Sequence, residues 1–283
     1  MNNFFIIANA IKDPGLMMTD RIATYLRDRG CSCEVLRTAG RREENFHYTD
    51  PGRIPEGVQC ILVLGGDGTL LQAARDVVGT RLPLLGINLG TLGFLAEVDR
   101  KSVYPALDKL IRDDYEIEER MMLEGRVTRA GEVIGEDIAL NDIVIARNGP
   151  LRVVGFRNYV NSEYLNSYLA DGIIIATPTG STGYNLSVGG PLVSPSSHMT
   201  IMTPVAPHTL SARSIVFSPE DVITVELAEG RHQDVESGVA SFDGDTMIPM
   251  VSGDRIIVRQ AKASTRIVKL NHLSFVEILR QKI

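Results

Sequence analysis

Apolar residues fall in unbroken runs over the first part of the chain and in shorter, alternating runs afterwards. FFIIAN, from Phe4, reads as a buried strand. Met18, Ile22, Tyr25 and Leu26 then recur at i, i+4, i+7 and i+8, the period of a helix with one buried face. Asp13-Pro14 ahead of it has the form of an N-cap followed by a first-turn proline, and Gly30 closes the segment. CSCEVLRT and QCILVLGG follow as strands. Leu70, Ala73, Ala74 and Val77 predict a second helix that starts in or just after Gly65–Thr69. LPLLGIN is a fourth strand, and Val103, Leu107, Leu110 and Ile111 predict a third helix with Ser102 as its cap. Alternating strands and helices imply a parallel sheet flanked by helices. Ligands of such sheets lie beyond the carboxyl ends of the strands, where the glycine turns at 65–68 and 90–93 fall.

After about Tyr115 the pattern turns to β. VITVEL, MIPMVSGDRIIVRQA and RIVKL read as strands, and helical periods are nearly missing until Phe275, Ile278 and Leu279. The expected organisation is an α/β domain over 1–115, a β-rich domain over 116–265, and a tail over 266–283 that is free to return to the first domain. The polar, aperiodic AGRREENFHYTDPGRIPEG reads as a long surface loop, with Arg41–Glu44 a solvated face.

Composition narrows the class. The chain has 283 residues, is 44% hydrophobic and carries a net charge of −6, which argues against nonspecific nucleic-acid binding. No apolar run reaches the length of a membrane span, and the apolar start lacks the basic region of a signal peptide. Three cysteines, Cys31, Cys33 and Cys60, have no partner pair at zinc spacing and read as buried thiols of a cytoplasmic protein.

Four segments carry candidate chemistry. In Gly65-Gly66-Asp67-Gly68-Thr69, glycines between strand and helix leave N–H groups that favour phosphate, so Gly65, Gly66, Gly68 and Thr69 are the candidate phosphate contacts. The alternative is a plain strand–helix turn with Asp67 as N-cap. In DGIIIATPTGSTGYN, from Asp171, a buried strand leads into Thr177, Thr179, Ser181 and Thr182, a density of small donors suited to a phosphate-bearing ligand. Tyr184 offers a face for stacking on a planar ring, or is a core tyrosine. Asn141-Asp142 breaks an apolar run, as ribose-binding groups or as a bulge or strand end. In NLGTLGFL, from Asn88, Phe94 is either an adenine-sized wall or a core residue. His208, between a proline and a threonine, reads as structural.

GGDGT, NLGTLGFL, LND, DGIIIATPTGSTGYN and PHTLSAR stand here in the order found in the NAD kinase family, and the chain resembles the bacterial type end to end. GGDG alone is shared with lipid kinases of the diacylglycerol and sphingosine type and resembles a phosphofructokinase motif; its pairing with TPTGSTGYN is specific. The resemblance implies a Rossmann-like, phosphofructokinase-like parallel α/β domain and a mostly-β domain. It implies ATP-dependent phosphorylation of the 2′-hydroxyl of the adenosine ribose of NAD, a divalent cation, and a homodimer or homotetramer. Residue by residue, it makes Asp67 the catalytic base. Gly68, Phe94, Asn141, Asp142 and Asp171, with Thr182, Gly183, Tyr184, Asn185, Leu186 and Ser187, become NAD contacts alongside Asp67. The chain departs from the family at Leu169, where many members have arginine, and at Asp245, where many have glutamine or histidine. No residue is assigned as a metal ligand. With no lysine in the glycine turn, Asp67 is expected to stand without a neighbouring cation, and Mg²⁺ to supply the neutralisation.

Overall fold

The unbroken apolar runs become parallel strands because a parallel sheet covered by helices is buried on both faces. In the computed structural model, which describes residues 1–36, 49–90, 93–149, 153–209, 212–230, 234–271 and 274–282, the chain divides into two units. The first comprises Met1–Arg120 and Ala263–Ile283, the second Met121–Lys262.

The first unit runs β1 (Asn3–Ala8), α1 (Met17–Arg27), β2 (Ser32–Leu36), β3 (Cys60–Gly65), α2 (Asp67–Val77), β4 (Leu84–Asn88), the short β5 (Val98–Asp99) and α3 (Val103–Ile111). Its parallel strands lie in the order β2-β1-β3-β4, so the winding reverses between β1 and β3. Phe4, Ile6, Leu62, Leu64, Leu85 and Ile87 meet Ile22, Leu26, Leu107 and Leu110 of the helices in one core. Asp13 serves the entry of α1 across one intervening 3₁₀ turn, its carboxylate accepting from Met18 N at 3.0 Å and Thr19 N at 2.9 Å. Ser102 precedes α3 but makes no side-chain cap; its hydroxyl donates instead to Asp99 Oδ1 at 2.6 Å. The three cysteines are buried and unpaired, and burial pushes the Cys33 thiol up to about 11 and Cys60 up to about 12.

The second unit holds most of β6 (Glu116–Arg129), then β7 (Glu132–Ala139), β8 (Asp142–Arg147), β9 (Val154–Val160), β10 (Glu163–Ala170), β11 (Gly172–Ala176) and the single-turn α4 (Tyr184–Ser187). It continues with β12 (Thr200–Val205), β13 (Ile215–Phe217), β14 (Ile223–Leu227), β15 (Ser237–Phe242), β16 (Thr246–Val251) and the first part of β17 (Arg255–Lys269). One antiparallel sheet has the order β13-β12-β11-β8-β15-β16; facing it are β10, β9, β14 and β17. Ile143, Ile173, Ile175 and Phe242 from the first pack with Phe156, Val225, Ile256 and Val258 from the second. On the other side of β11, Ile174 and Ala176 pack with Ile201, Val188 and Val193. That double covering is why the Ile173–Ala176 run does not alternate.

MIPMVSGDRIIVRQA, which read as one strand, divides between β16 and β17, and its IIVRQA joins RIVKL in the single strand β17. Through its last part β17 returns to the first unit and pairs parallel with β4 at Ile267–Leu84, and α5 (Phe275–Lys282) follows there. Arg41–Glu44 lies outside the described residues.

Candidate functional site

Two groups of residues collect the sequence candidates, one on each unit. In the first unit, β3 ends at Gly65 and α2 starts at Asp67, so the turn stands at the carboxyl edge of the sheet beside the end of β1. A side chain at Gly65 would not fit, because its Cβ would lie 2.3 Å from Thr69 Oγ1. That hydroxyl is buried and accepts from Asn9 Nδ2 at 3.1 Å and from Gly66 N at 3.5 Å, tying β1 to the turn. Gly66 is the N-cap, so Asp67 is the first helical residue and not the cap. At the start of the helix Thr69 N donates back to Gly66 O at 2.9 Å, while the N–H groups of Asp67 and Gly68 have no acceptor four residues earlier in the helix, and Gly68 is open to solvent.

The Asp67 carboxylate has its own cradle. Oδ2 accepts from Phe94 N at 2.9 Å and Leu95 N at 3.4 Å, and Oδ1 accepts from Ala96 N at 3.4 Å. The contact depends on Gly93, where an added Cβ would fall 1.8 Å from Asp67 Oδ2. The glycine loop from Asn88 thus holds the catalytic candidate, and Thr91 and Leu92 within it lie outside the described residues.

The expectation of no cation beside Asp67 fails. A Cβ at Gly66 would lie 2.2 Å from Lys12 Nζ, so that ammonium rests on the turn. Lys282 of α5 donates to the Gly93 carbonyl, and its Nζ sits 4.9 Å from the centroid of the Phe94 ring. Burial lowers the Lys282 pKa below the usual lysine range, and the charge of Asp67 works against that shift. Both lysines come from distant parts of the chain, where no local pattern marks them.

In the second unit, β7 ends at Ala139 and β8 starts at Asp142, so the Asn141 break is a strand end. Asp243, at φ 51° in the turn between β15 and β16, gathers three N–H groups there: Leu140 at 2.8 Å, Asn141 at 2.8 Å and Asp142 at 3.1 Å. Thr177 binds the same corner, donating from N to Asn141 O at 2.9 Å and from Oγ1 to Leu140 O at 2.6 Å. The loop then passes so close that a Cβ at Gly180 would lie 2.0 Å from Asn141 O. A Cβ at Gly183 would lie 3.4 Å from Asn141 Nδ2 and 3.7 Å from Asp142 Oδ2, so both side chains face Gly183. Asn141 Oδ1 is buried without a hydrogen-bond partner. A buried acceptor left open beside a glycine loop marks where a ligand donor belongs.

The hydroxyl-rich loop largely serves itself. Ser181 Oγ donates to Val193 O at 3.1 Å, and Thr182 Oγ1 to Thr179 O at 3.1 Å. Asn185 is fully buried; Nδ2 donates to Ser181 O at 3.3 Å and Pro191 O at 3.1 Å, and Oδ1 accepts from Thr203 at 2.7 Å. Tyr184, by contrast, is 46% exposed and is no core tyrosine. Ser187 is exposed, and Thr182, Gly183 and Leu186 are half-buried. Asp171 pairs with Arg147 Nε at 2.7 Å, so a guanidinium reaches it although position 169 is an exposed leucine. Asp245 and His208 are exposed. Of PHTLSAR, Leu210 and Ser211 lie outside the described residues. Sequence reasoning missed Asp243; its signal was the Asp-Gly pair of a tight hairpin turn.

Burial, then the neighbouring Asp243, raises the Asp142 pKa to about 7 from 3.8. Between those values the folded chain keeps a proton that the unfolded chain has lost. The contribution of Asp142 to stability is therefore full below about pH 4, falls as pH rises towards about 7, and levels off above it, by on the order of 4 kcal/mol. Asp142→Asn removes this dependence: urea unfolding at pH 5 and pH 8 should show the variant gaining on the parent at the higher pH.

Residues 4–115 match the family model for the ATP-NAD kinase N-terminal domain, and residues 140–270 that for the ATP-NAD kinase C-terminal domain. A NAD kinase of Lachnospira eligens is 43% identical over 100% of both chains. A NAD kinase of Agathobacter rectalis is 45% identical over 100% of this chain and 98% of its own. In fold, the chain is similar to the crystal structure of yeast NADH kinase complexed with NADH, with a TM-score of 0.83, 24% identity, and coverage of 99% of this chain and 87% of that one. It is also similar to an NAD kinase from Archaeoglobus fulgidus in complex with ATP, with a TM-score of 0.75, 23% identity, and coverage of 96% and 94%. The α/β and mostly-β layout therefore agrees with the motifs, and the chain belongs to the NAD kinase family.

Proposed function

We propose that the chain transfers a phosphoryl group from ATP to the 2′-hydroxyl of the adenosine ribose of NAD, giving NADP and ADP. The observation that carries the residue assignment is the Asp67 carboxylate, half-buried and fixed by the amides of Phe94, Leu95 and Ala96. Phosphoryl transfer needs positioning and charge stabilisation more than covalent help. A carboxylate is a weak base, so Asp67 holds the hydroxyl in line and takes its proton late, as charge leaves the oxygen. The free N–H groups at the start of α2, around Gly68, receive donor phosphate, while Gly65, Gly66 and Thr69 shape the turn.

In the second unit, Asn141 and Asp142 bind the ribose and amide groups of NAD, with the open Asn141 Oδ1 taking a ligand donor. Asp171, Thr182, Gly183, Tyr184, Leu186 and Ser187 are the dinucleotide contacts on the second unit, Tyr184 through its exposed ring. Phe94 is an aromatic candidate for the adenine. Asn185 orders the loop from inside. The fit for a resident metal is poor: no group of three His, Cys, Asp or Glu side chains forms a cage among the described residues. The chemistry suits Mg²⁺ that arrives on the donor phosphates, since that ion is held through substrate phosphates and few carboxylates. It supplies charge neutralisation when bound. No helix among the described residues is long and apolar enough to cross a membrane. The chain acts in the cytoplasm as a homodimer or homotetramer.

Offering NAD and diacylglycerol side by side to the chain with labelled ATP and Mg²⁺ tests the acceptor. Label should move to NAD alone. Transfer to the lipid and not to NAD would reassign the chain to lipid phosphorylation.

A further inference from the structure

The carboxyl edge of the first unit's sheet carries the Asp67 turn, and the opposite edge holds a cavity of about 380 Å³. β1, β3 and β4 begin at that edge, with Pro83 just ahead of β4. β17 joins them in parallel at Ile267–Leu84, which sets Arg266 level with Pro83. The six residues of β3 put about 20 Å between the two edges. Arg81, Tyr115 and Arg266 line the cavity with polar groups, and Leu82, Pro83 and Ile117 give it an apolar wall. All of them belong to the first unit.

Both arginines keep unused donors. Arg266 Nη1 donates to Arg81 O at 3.1 Å, but its Nε is buried without a hydrogen-bond partner. Glu119 Oε1, 3.9 Å from that Nε, is too far to serve it. The exposed Arg81 side chain makes no hydrogen bond or ion pair among the described residues. Arg81 also stands at φ 56°, where it closes the 3₁₀ turn Val78–Thr80. That left-handed region favours glycine, so an arginine there costs the backbone, and strain of this kind marks functional positions. The Tyr115 hydroxyl likewise has no hydrogen-bond partner among the described residues. Burial first, then the Asp113 charge, raises its pKa, and Arg266 works against that shift. The hydroxyl therefore stays a donor within electrostatic reach of Arg266. Asp113, the one carboxylate of the lining among the described residues, is exposed and already accepts from the Met1 amine.

Two guanidinium charges and a neutral donor suit a dianion, and the planar fork of arginine matches phosphate oxygens. A bare phosphate would leave most of this volume and its apolar wall unused. We propose that the cavity binds a small organic phosphomonoester, with the phosphate on Arg81, Arg266 and the Tyr115 hydroxyl and the organic body against Leu82, Pro83 and Ile117.

Phenyl phosphate, titrated into the full-length chain by calorimetry at pH 8 where it is a dianion, tests the site. The parent should bind it, and bind inorganic phosphate and the monoanionic phenyl sulfate more weakly. Arg266→Met and Arg81→Gly should each weaken phenyl phosphate about tenfold, and Tyr115→Phe about threefold. Arg81→Gly should also unfold at or above the temperature of the parent, because glycine accepts φ 56° without strain. A purely structural arginine would not separate binding from stability in this way. Should Arg266→Met fail to fold, Arg81→Gly carries the test, since Arg81 is exposed and lies outside the strands. No binding of phenyl phosphate to the parent would overturn the proposal. So would phenyl sulfate binding as tightly as phenyl phosphate, or parent-like affinity in the arginine variants, which would put the ligand elsewhere on the chain.

Discussion

Asp67→Asn should fold as the parent does, bind NAD with little change, and lower kcat by about 10²–10⁴-fold, the range expected when a positioned proton acceptor is lost. The substitution keeps the shape of the side chain. Its remaining oxygen can still accept from Phe94 N, now 2.9 Å from Oδ2, while its amide group faces Ala96 N, now 3.4 Å from Oδ1. The stronger contact survives and the weaker is given up, so the turn holds its place. What disappears is the acceptor for the hydroxyl proton. Rates of NADP formation, read beside NAD titrations, separate the two effects. An unchanged kcat would remove Asp67 from the mechanism.

Gly93→Ala should act on the same carboxylate without touching it covalently. The new methyl would occupy a position 1.8 Å from Asp67 Oδ2 and 2.3 Å from Oδ1, well inside contact distance. The half-buried carboxylate yields first, because the clashing atoms are the end of the Asp67 side chain, which can rotate. It then leaves the amides of residues 94–96, and the reacting hydroxyl loses its alignment. A displacement of about 1 Å at a reacting group costs about 10²-fold in rate. The expected result is that loss in kcat with a melting temperature near that of the parent. A large fall in melting temperature with full specific activity in the folded fraction would place Gly93 in folding and not in alignment.

The chain shows most of its architecture in its sequence because the first unit is a parallel sheet buried on both faces. Phe4–Ala8 and Cys60–Gly65 need no alternation to read as strands, and the helices between them keep the period of a single buried face. The glycine turns were legible for a similar reason. Gly65, Gly93 and Gly180 stand where a side chain would strike Thr69, Asp67 or the Asn141 backbone. Contacts between distant segments were not legible. Lys12 and Lys282 meet the Asp67 turn through the tertiary fold, so the turn looked free of cations in its local sequence. Asp243 organises Leu140–Asp142 from across a hairpin, where the Asp-Gly pair signalled a turn but not its partner. Hydroxyl density carries a second meaning as well, because Ser181 and Thr182 bond the loop to itself and Asn185 does the same from inside. Composition cannot distinguish donors that order a loop from donors offered to a ligand. Ser102 had the residue type of a cap, yet the Asp99 carboxylate takes its hydroxyl first.

The central claim concerns one hydroxyl of one dinucleotide. Its most direct test is the position of the new phosphate in the product formed by the full chain from NAD and Mg²⁺-ATP. Phosphorus NMR should show a single new monoester on the 2′-oxygen of the adenosine ribose, and an NADP-specific dehydrogenase should accept that product. A monoester on any other hydroxyl, or ATP consumed with NAD returned unmodified, would contradict the account.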